Sequence, residues 1–300
     1  MTGLDVVITS YRTRDLLARC LDSLHRQPFP FPRRVVVVDN GSGDGSPELV
    51  RAQFPEVELI VFDHNRGYGA ATNRALRDLK YEAVFLLNAD AEATADCLPL
   101  LIGYLKDHPR VGAVGPRQIG HDQVEQVTCG DRPTFVSEAL RWRRHRMSRQ
   151  GDTNFAGGSA PAKAVSWISG SAMLIRREAL RQTGLFDERF FLYFEDIDLC
   201  LRMAAAGWEI HYLPAAVVIH QRGASAASDP AAANYEYRRS QLLFWRKHAG
   251  RLARAAIRGW VGLRGLTELI ACRCGLVEDG SGTLARHHQR ILGLAWKGLP

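Results

Sequence analysis

The sequence predicts an α/β fold: a mostly parallel central sheet flanked by helices, with a helical appendage at the C-terminus. Three observations carry this. Between residues 4 and 114, short β-branched runs alternate with stretches of helical apolar spacing. Several of the strand-like runs are continuously apolar, as strands covered on both faces must be. Beyond residue 250 the pattern gives way to a long basic stretch studded with Trp, Leu and Ile.

The elements follow in order. Leu4–Thr9 reads as a strand, and Arg14–Gln27 as a helix with Leu16, Leu17, Cys20, Leu21 and Leu24 on its apolar side. Arg34–Val38 is a four-valine strand. Ser46–Phe54 is a short helix, with Ser46 suited to its N-cap. Val57–Phe62, Val84–Leu87 and Val111–Val114 are further strands, separated by helices over Tyr68–Leu79 and Ala95–His108. Such alternation implies right-handed βαβ crossovers.

From Arg117 to Ala164 the periodicity fades and Gly, Pro, Ser and Arg accumulate, which predicts an irregular insertion of the kind that forms lids and binding loops. Order returns over Val165–Ile175, where small residues let a ligand approach the backbone. Arg177–Gln182 and Asp196–Ala206 read as helices stopped near Gly184 and Gly207. Glu209–Leu213 and Ala216–His220 read as two short strands, and Asn234–His248 as a helix. The expected organisation is a catalytic domain over residues 1–248, with 117–164 as its insertion, and a basic amphipathic helical segment over 249–300.

Composition narrows the classes. With 300 residues, 46% apolar and 24% charged, the chain can bury a full core and is not a disordered type. Six cysteines are scattered without a CxxC pair, which argues against a zinc site and for free thiols in a reducing compartment. No secretory leader pattern opens the chain, and no run of 18 apolar residues occurs, so a cytoplasmic location is expected. From Glu236 onward there are 12 Lys/Arg against 4 Asp/Glu. A second basic knot spans Arg141 to Arg149. Both suggest an anionic partner or solvated faces. In the tail, Arg254, Arg258, Arg264 and Arg273 interleave with Leu252, Ile257, Trp260, Val261, Leu263, Leu266, Leu269 and Ile270. That suits a helix lying in a membrane interface, the alternative being a helix packed on the protein's own core.

The chemistry centres on Asp90, which closes the apolar run Val84–Ala89. A carboxylate at a strand's C-terminal tip sits at the mouth of an α/β crevice, where open sheets bind ligands. There it can hold a divalent cation against phosphate. Asp39 ends an earlier strand in the same way and can accept from a pyrimidine or a ribose hydroxyl. Asn65-Arg66-Gly67-Tyr68-Gly69 is a Gly-rich strand-to-helix turn without GxGxxG spacing, which removes the main support for a dinucleotide-binding dehydrogenase. Glu195, Asp196 and Asp198 crowd a helix start, where the dipole lowers a carboxylate's pKa and mutual repulsion raises it. Acids that merely complement the dipole, and a strand-end histidine at 220 bonded to backbone, are the plain alternatives.

Taken in order, these segments resemble the family 2 inverting glycosyltransferases of GT-A fold, in their rhamnosyltransferase-like branch. The matching residues are Val7-Ile8-Thr9-Ser10-Tyr11, Val37-Val38-Asp39-Asn40-Gly41-Ser42, Asn65-Arg66-Gly67-Tyr68-Gly69 and Leu87-Asn88-Ala89-Asp90. They continue with Ser169-Gly170-Ser171-Ala172, Phe186-Asp187-Glu188, Phe194-Glu195-Asp196-Ile197-Asp198-Leu199 and His220.

The resemblance implies that Thr9, Tyr11 and Asp39 line base and ribose, and that Asn65, Gly67, Asn73, Gly170 and Ser171 complete the nucleotide-sugar site. Asn88-Ala89-Asp90 stands for the family's Asp-x-Asp motif. Asp90 and His220 would hold Mn²⁺ or Mg²⁺, the imidazole favouring Mn²⁺. Asp196 would be the catalytic base, with Glu195 beside it and Trp167 on the acceptor side. Asp198 is expected to pair structurally with Arg202, and Arg239 to contact phosphate. The implied reaction moves a sugar from a nucleoside diphosphate donor, first dTDP-L-rhamnose and then UDP sugars. The implied acceptor is a glycan on a polyprenyl diphosphate lipid at the inner face of the membrane, in the making of bacterial surface polysaccharide. Two other classes compete: a soluble glycosyltransferase acting on protein or secondary metabolite, and a non-catalytic nucleotide or nucleic-acid binder. Stacking aromatics and RNA-binding signatures are missing, so no nucleic-acid partner is expected.

Overall fold

The computed structural model describes residues 2–26, 31–135, 137–138, 160–221, 229–274 and 283–297. The basic knot at 141–149 and the middle of the expected insertion lie outside them.

The first four βα units form as expected. Strands β1 (Leu4–Ser10), β2 (Arg33–Asp39), β3 (Glu58–Val61) and β4 (Ala83–Asn88) pair in parallel in the order β3-β2-β1-β4. Helices α1 (Arg14–His25), α2 (Ser46–Gln53) and α3 (Tyr68–Leu76) supply the crossovers. The continuous apolarity of β1 and β4 is explained by their place: nearly every residue of both is buried, because helices cover both faces of the sheet. Asp5 is the exception in kind. Fully buried, it accepts from the Lys80 and Tyr81 N–H groups and pairs with Arg34 at 3.4 Å, which fixes the entry to β1.

Beyond β4 the sheet becomes mixed. Helix α4 (Cys97–Asp107) leads to β6 (Val111–Ile119). Strand β10 (Ala172–Arg176) inserts antiparallel between β4 and β6, and β11 (Glu209–His220) pairs parallel with β6. The short β5 (Ala91–Ala93) closes the edge against the end of β11. Helices α5 (Arg177–Thr183) and α6 (Glu195–Ala205) lie between β10 and β11. The chain ends in α7 (Pro230–His248), α8 (Arg251–Arg273) and α9 (Thr283–Lys297).

Three expectations are corrected. The stretch beginning at Arg117 is not irregular throughout: β6 runs on to Ile119, a bridge joins Ile119 to Glu125, and β7 (Cys129–Gly130) pairs with β9 (Trp167–Ile168). Further on, β8 (Lys163–Ala164) pairs with β11. The two strands expected over 209–220 are one, with its register shifted between Leu213 and Val217, around Pro214, whose ring removes a ladder donor. Helix α7 starts at Pro230, four residues before the expected Asn234, because the Asp229 side chain caps it through the Ala232 N–H.

Helix α8 has two apolar faces. Ile257, Val261 and Leu269 are buried in the same core cluster as Trp245 of α7 or beside it, together with Ile291 and Leu294 of α9. Leu252, Leu263, Leu266 and Ile270 stand exposed. Among the described residues no helix is long and apolar enough to cross a membrane.

Candidate active site

The sheet order reverses at β1, which lies between β2 and β4, and the C-terminal tips of all three open on one crevice. Thr9 is paired with Asn88 across the β1–β4 ladder, and Ser10 with Asp39 across β1–β2. Asp39 is buried. One carboxylate oxygen accepts from the Ser42 N–H at 3.0 Å, and the other has no partner. Asn88 Oδ1 is likewise buried without a donor. Buried acceptors left bare are costly unless a ligand meets them. Tyr11, half-buried, follows at the mouth with the Arg12 guanidinium over its ring at 5.1 Å.

Asn88, buried Ala89 and Asp90 turn the chain from β4 into β5, and β5 pairs with the end of β11. This pairing brings His220 Nε2 to 3.2 Å from Asp90 Oδ1, with both side chains below a tenth exposed. Gln126 holds the ring from behind. Its amide N–H donates to the His220 carbonyl at 2.7 Å, which points its oxygen at His220 Nδ1, 2.9 Å away. The network therefore places a proton on Nδ1 and turns Nε2 to the Asp90 carboxylate, a pair that a second proton or a bound cation would bridge. One carboxylate and one imidazole, with the bare Asn88 oxygen two residues away, form a donor set suited to Mn²⁺ with diphosphate oxygens and water filling the other positions. Among the described residues no group of three His, Cys, Asp or Glu side chains gathers to hold a metal alone.

A hydrogen-bonded chain links this tip to Asp196. The Asn88 N–H donates to the Ser171 carbonyl at 2.8 Å, and Ser171 Oγ donates to Gln118 Oε1 at 2.8 Å. The Gly170 N–H donates to Asp196 Oδ2 at 3.0 Å, while Tyr68 Oη donates to the Gly170 carbonyl at 2.7 Å. A Cβ at Gly170 would stand 3.5 Å from the Asp196 Cβ, so the loop lies directly against the acid.

Asp196 opens α6, and the backbone leading into it is strained. Tyr193 and Phe194 take φ of 69° and 67°, a left-handed conformation that costs a bulky residue about 1–3 kcal/mol. Packing holds them there. Phe194 is buried with its ring 5.3 Å from those of Tyr237 and Phe244, and Ser240 Oγ donates to the Leu192 carbonyl at 2.8 Å. The result aims Glu195 and Asp196 back at the Gly170 loop. Burial pushes the Asp196 carboxyl above its ordinary range, against the Gly170 and Ile197 N–H groups, which pull it down. Glu195 is raised well above its ordinary value by burial and then by the Asp196 charge, and its Oε2 is buried with no donor. Desolvation thus outweighs the helix dipole here. Asp196 accepts from the Gly170 and Ile197 N–H groups, which would steady its anion.

Asp198 turns inward and is fully buried against Arg202 at 2.8 Å, Lys247 at 2.7 Å and His248 at 2.6 Å. Burial raises its carboxyl, but the hydrogen bonds from His248 and Lys247 and the Arg202 charge outweigh that and hold it low. The expected pairing with Arg202 is present. Arg239 is engaged with Glu236 at 3.2 Å.

Two expected site residues do not reach the crevice. Asn73 is buried with both ends of its amide used: it donates to the Phe186 carbonyl and Glu188, and accepts from the Phe186 N–H. It clamps the Phe186–Glu188 segment, with both amide N–H groups and one oxygen lone pair engaged there. Trp167 is buried in β9 with its indole N–H on the Asp131 carbonyl at 3.0 Å, so it is a core side chain and not an acceptor platform. Asn65 and Gly67 shape the turn instead. Asn65 Oδ1 accepts from Asn40 and from the Gly67 N–H. Gly67 has φ +86° and lies so close to Phe191 that a Cβ would meet its carbonyl at 2.4 Å. Gln126 and Gln118 are the side chains the sequence did not single out, since both fall in the stretch expected to be irregular. Tyr68 stands in the Asn65–Gly69 turn, but the resemblance implies no role of its own for it.

The model for "Glycosyl transferase family 2" matches residues 5–184, from the start of β1 to the end of α5. The chain belongs to that family. The glycosyltransferase is 31% identical over 265 residues to an N-acetylglucosaminyl-diphospho-decaprenol L-rhamnosyltransferase of Mycobacterium tuberculosis, covering 82% of this chain and 85% of that one. It is 48% identical over 56 residues to the rhamnosyltransferase WbbL of Escherichia coli K12, covering 19% of this chain and 21% of that one. It is rhamnosyltransferase-like in sequence on both counts. In fold it is similar to the mannosyltransferase PcManGT of Pyrobaculum calidifontis, solved with GDP-Man and Mn²⁺, at TM-score 0.55 and 22% identity, over 99% of this chain and 86% of that one. It is also similar to S. aureus TarS 1-349 solved with UDP-GlcNAc, at TM-score 0.58 and 16% identity, over 99% of this chain and 82% of that one. These likenesses fit the GT-A architecture expected from the sequence.

Proposed function

We propose that this glycosyltransferase carries out an inverting transfer, with L-rhamnose from dTDP-rhamnose as first donor, to a glycan on a diphosphate lipid in surface polysaccharide synthesis. The observation that carries the mechanism is Asp196, held by the Gly170 N–H beside the crevice with a carboxyl raised by burial. Inversion needs one in-line displacement. The acceptor hydroxyl attacks the anomeric carbon from the face opposite the nucleotide and passes its proton to a base within hydrogen-bond reach. A base of raised pKa takes that proton more readily than an ordinary carboxylate. Glu195, its carboxyl raised by burial, would donate to the acceptor sugar.

Asp39 would accept from the base or ribose with its bare oxygen, and Thr9 and Tyr11 would line the same end. Gly170 and Ser171 would border the sugar. Asp90 and His220 would hold Mn²⁺ or Mg²⁺, which when bound neutralises charge on the departing diphosphate. The lipid-linked acceptor is supported by the mycobacterial relative, whose name gives an N-acetylglucosaminyl-diphospho-decaprenol substrate. Residues 1–248 would form the catalytic unit. Residues 249–300 would seat it on the inner face of the membrane through the exposed side of α8.

The test is transfer from dTDP-rhamnose to a short-chain polyprenyl diphospho-N-acetylglucosamine, scored by linkage-resolved NMR. A product of inverted anomeric configuration, abolished by Asp196→Asn, supports the proposal. A retained configuration, or full activity in Asp196→Asn, contradicts it.

A further inference from the structure

The junction of α7, α8 and α9 contains a cleft of about 410 Å³ that takes no part in the chemistry above. It is lined by Arg246, Arg251, Arg254 and Arg258 over an apolar floor that includes Trp245 and Leu294. No acidic side chain lines it. Arg258 is oriented by the Ala295 carbonyl, to which its Nε and Nη2 donate at 3.2 and 3.0 Å. Among the described residues, the guanidinium groups of Arg246, Arg251 and Arg254 have no acceptor. Helix α8 begins at this spot, and Gly250 offers no side-chain cap to its first N–H groups. Trp245 is only 4% exposed, and its indole N–H is buried with no partner. Every polar group at the cleft is a donor, and one of them is a buried donor that stability alone would not leave bare.

We infer that this cleft binds the phosphate of an anionic phospholipid headgroup. Arginine forks and a free helix N-terminus suit phosphate oxygens, and the indole N–H of the lining Trp245 is a further unsatisfied donor. The lipid source follows from what flanks the cleft. Leu252, Leu263, Leu266 and Ile270 fall near one line along α8 and are 88%, 58%, 44% and 50% exposed, and Trp296, 76% exposed, lies close to Gly262 of the same helix. A helix with such a stripe and arginines beside it sits at a bilayer surface with its apolar side at the acyl boundary. The inference rests on the membrane seat proposed above only for the source of the phosphate.

The experiment measures binding of the full chain to phosphatidylcholine vesicles with and without phosphatidylglycerol, in the absence of donor and acceptor. It compares wild type, Arg251→Gln, Arg254→Gln and Trp245→Phe. Arg254→Gln alters a partly exposed side chain and guards against misfolding. The expected result is binding that requires phosphatidylglycerol and weakens about fivefold for each arginine removed. Trp245→Phe removes the indole N–H while keeping an aromatic ring in the core, and it should weaken binding without changing the far-ultraviolet spectrum. Variants that bind phosphatidylglycerol vesicles as well as wild type does would overturn the cleft while leaving the membrane seat standing. Absence of vesicle binding would overturn both, whether inorganic phosphate alone fills the cleft by calorimetry or sedimentation shows a dimer formed through α8. Transfer to a soluble acceptor analogue is scored separately, so failure here leaves the catalytic reading intact.

Discussion

His220 Nε2 faces Asp90 Oδ1 across 3.2 Å while Gln126 grips the opposite edge of the same ring. The two residues meet because β5 pairs with the last residues of β11, setting Ala91 opposite His220. An imidazole nitrogen and a carboxylate oxygen at that distance form an arrangement that a cation satisfies. Gln126 matters because it occupies Nδ1 and leaves Nε2 toward Asp90.

Gln126→Ala is therefore expected to weaken Mn²⁺ binding by about 10- to 100-fold. The free Mn²⁺ signal in electron paramagnetic resonance reads this directly, without turnover. Unchanged affinity would show that His220 needs no support, or is not a ligand.

Asp196→Asn is expected to lower kcat by about 10²- to 10⁴-fold while leaving donor binding within a factor of a few. Steady-state kinetics and calorimetry with the nucleotide measure the two halves. Loss of donor binding with kcat unchanged would move Asp196 from the base to the binding role.

The pH profile follows from the direction of the shifts. Asp196 acts as base only when ionised, and burial raises its carboxyl. Activity should rise with pH along an acid limb displaced upward from the ordinary Asp value of about 3.9. Burial raises Glu195 well above its ordinary value, so Glu195→Gln mimics its protonated form and should leave that limb in place. A limb that drops on this substitution would mean that Glu195 is charged while Asp196 works. For stability the sign is opposite to the usual carboxylate. Both groups favour the fold when protonated, and that contribution is lost as pH rises through their raised values.

Asp198 makes the contrasting case. It is fully buried against Arg202, Lys247 and His248, and Asp198→Ala should cost about 3 kcal/mol in denaturant unfolding. Because its carboxyl is held low, its stabilisation is present above the ordinary Asp value and fades as pH falls through the depressed one. Removing the exposed Glu178–Arg181 pair should leave the unfolding midpoint unchanged.

Much of this was legible in the sequence, for identifiable reasons. Strand tips ending in Asp39 and Asp90 announce themselves because a continuous apolar run stops at a charge. Asp198 and Arg202 announce themselves through their four-residue spacing. What stayed hidden depends on non-local pairing. Gln126 reaches His220 only because β6 continues past Arg117 and the chain folds back at Glu125. Asn73 carries the right chemistry for a ligand, but the Phe186 backbone consumes it from more than a hundred residues away. Trp167 carries the right bulk for an acceptor platform, but the β7–β9 pairing buries it. Nor could the sequence weigh burial against the helix dipole at Asp196. That balance depends on the left-handed turn at Tyr193 and Phe194, which turns both acids inward.

The most direct measurement is calorimetric titration of dTDP and UDP into wild type and Asp90→Asn, each with Mn²⁺ and with EDTA. The account predicts that one pyrimidine diphosphate binds wild type only when Mn²⁺ is present, and that Asp90→Asn loses this dependence together with most of the affinity. Equal binding in EDTA, or an Asp90→Asn protein indistinguishable from wild type, would contradict the placement of the diphosphate at Asp90 and His220.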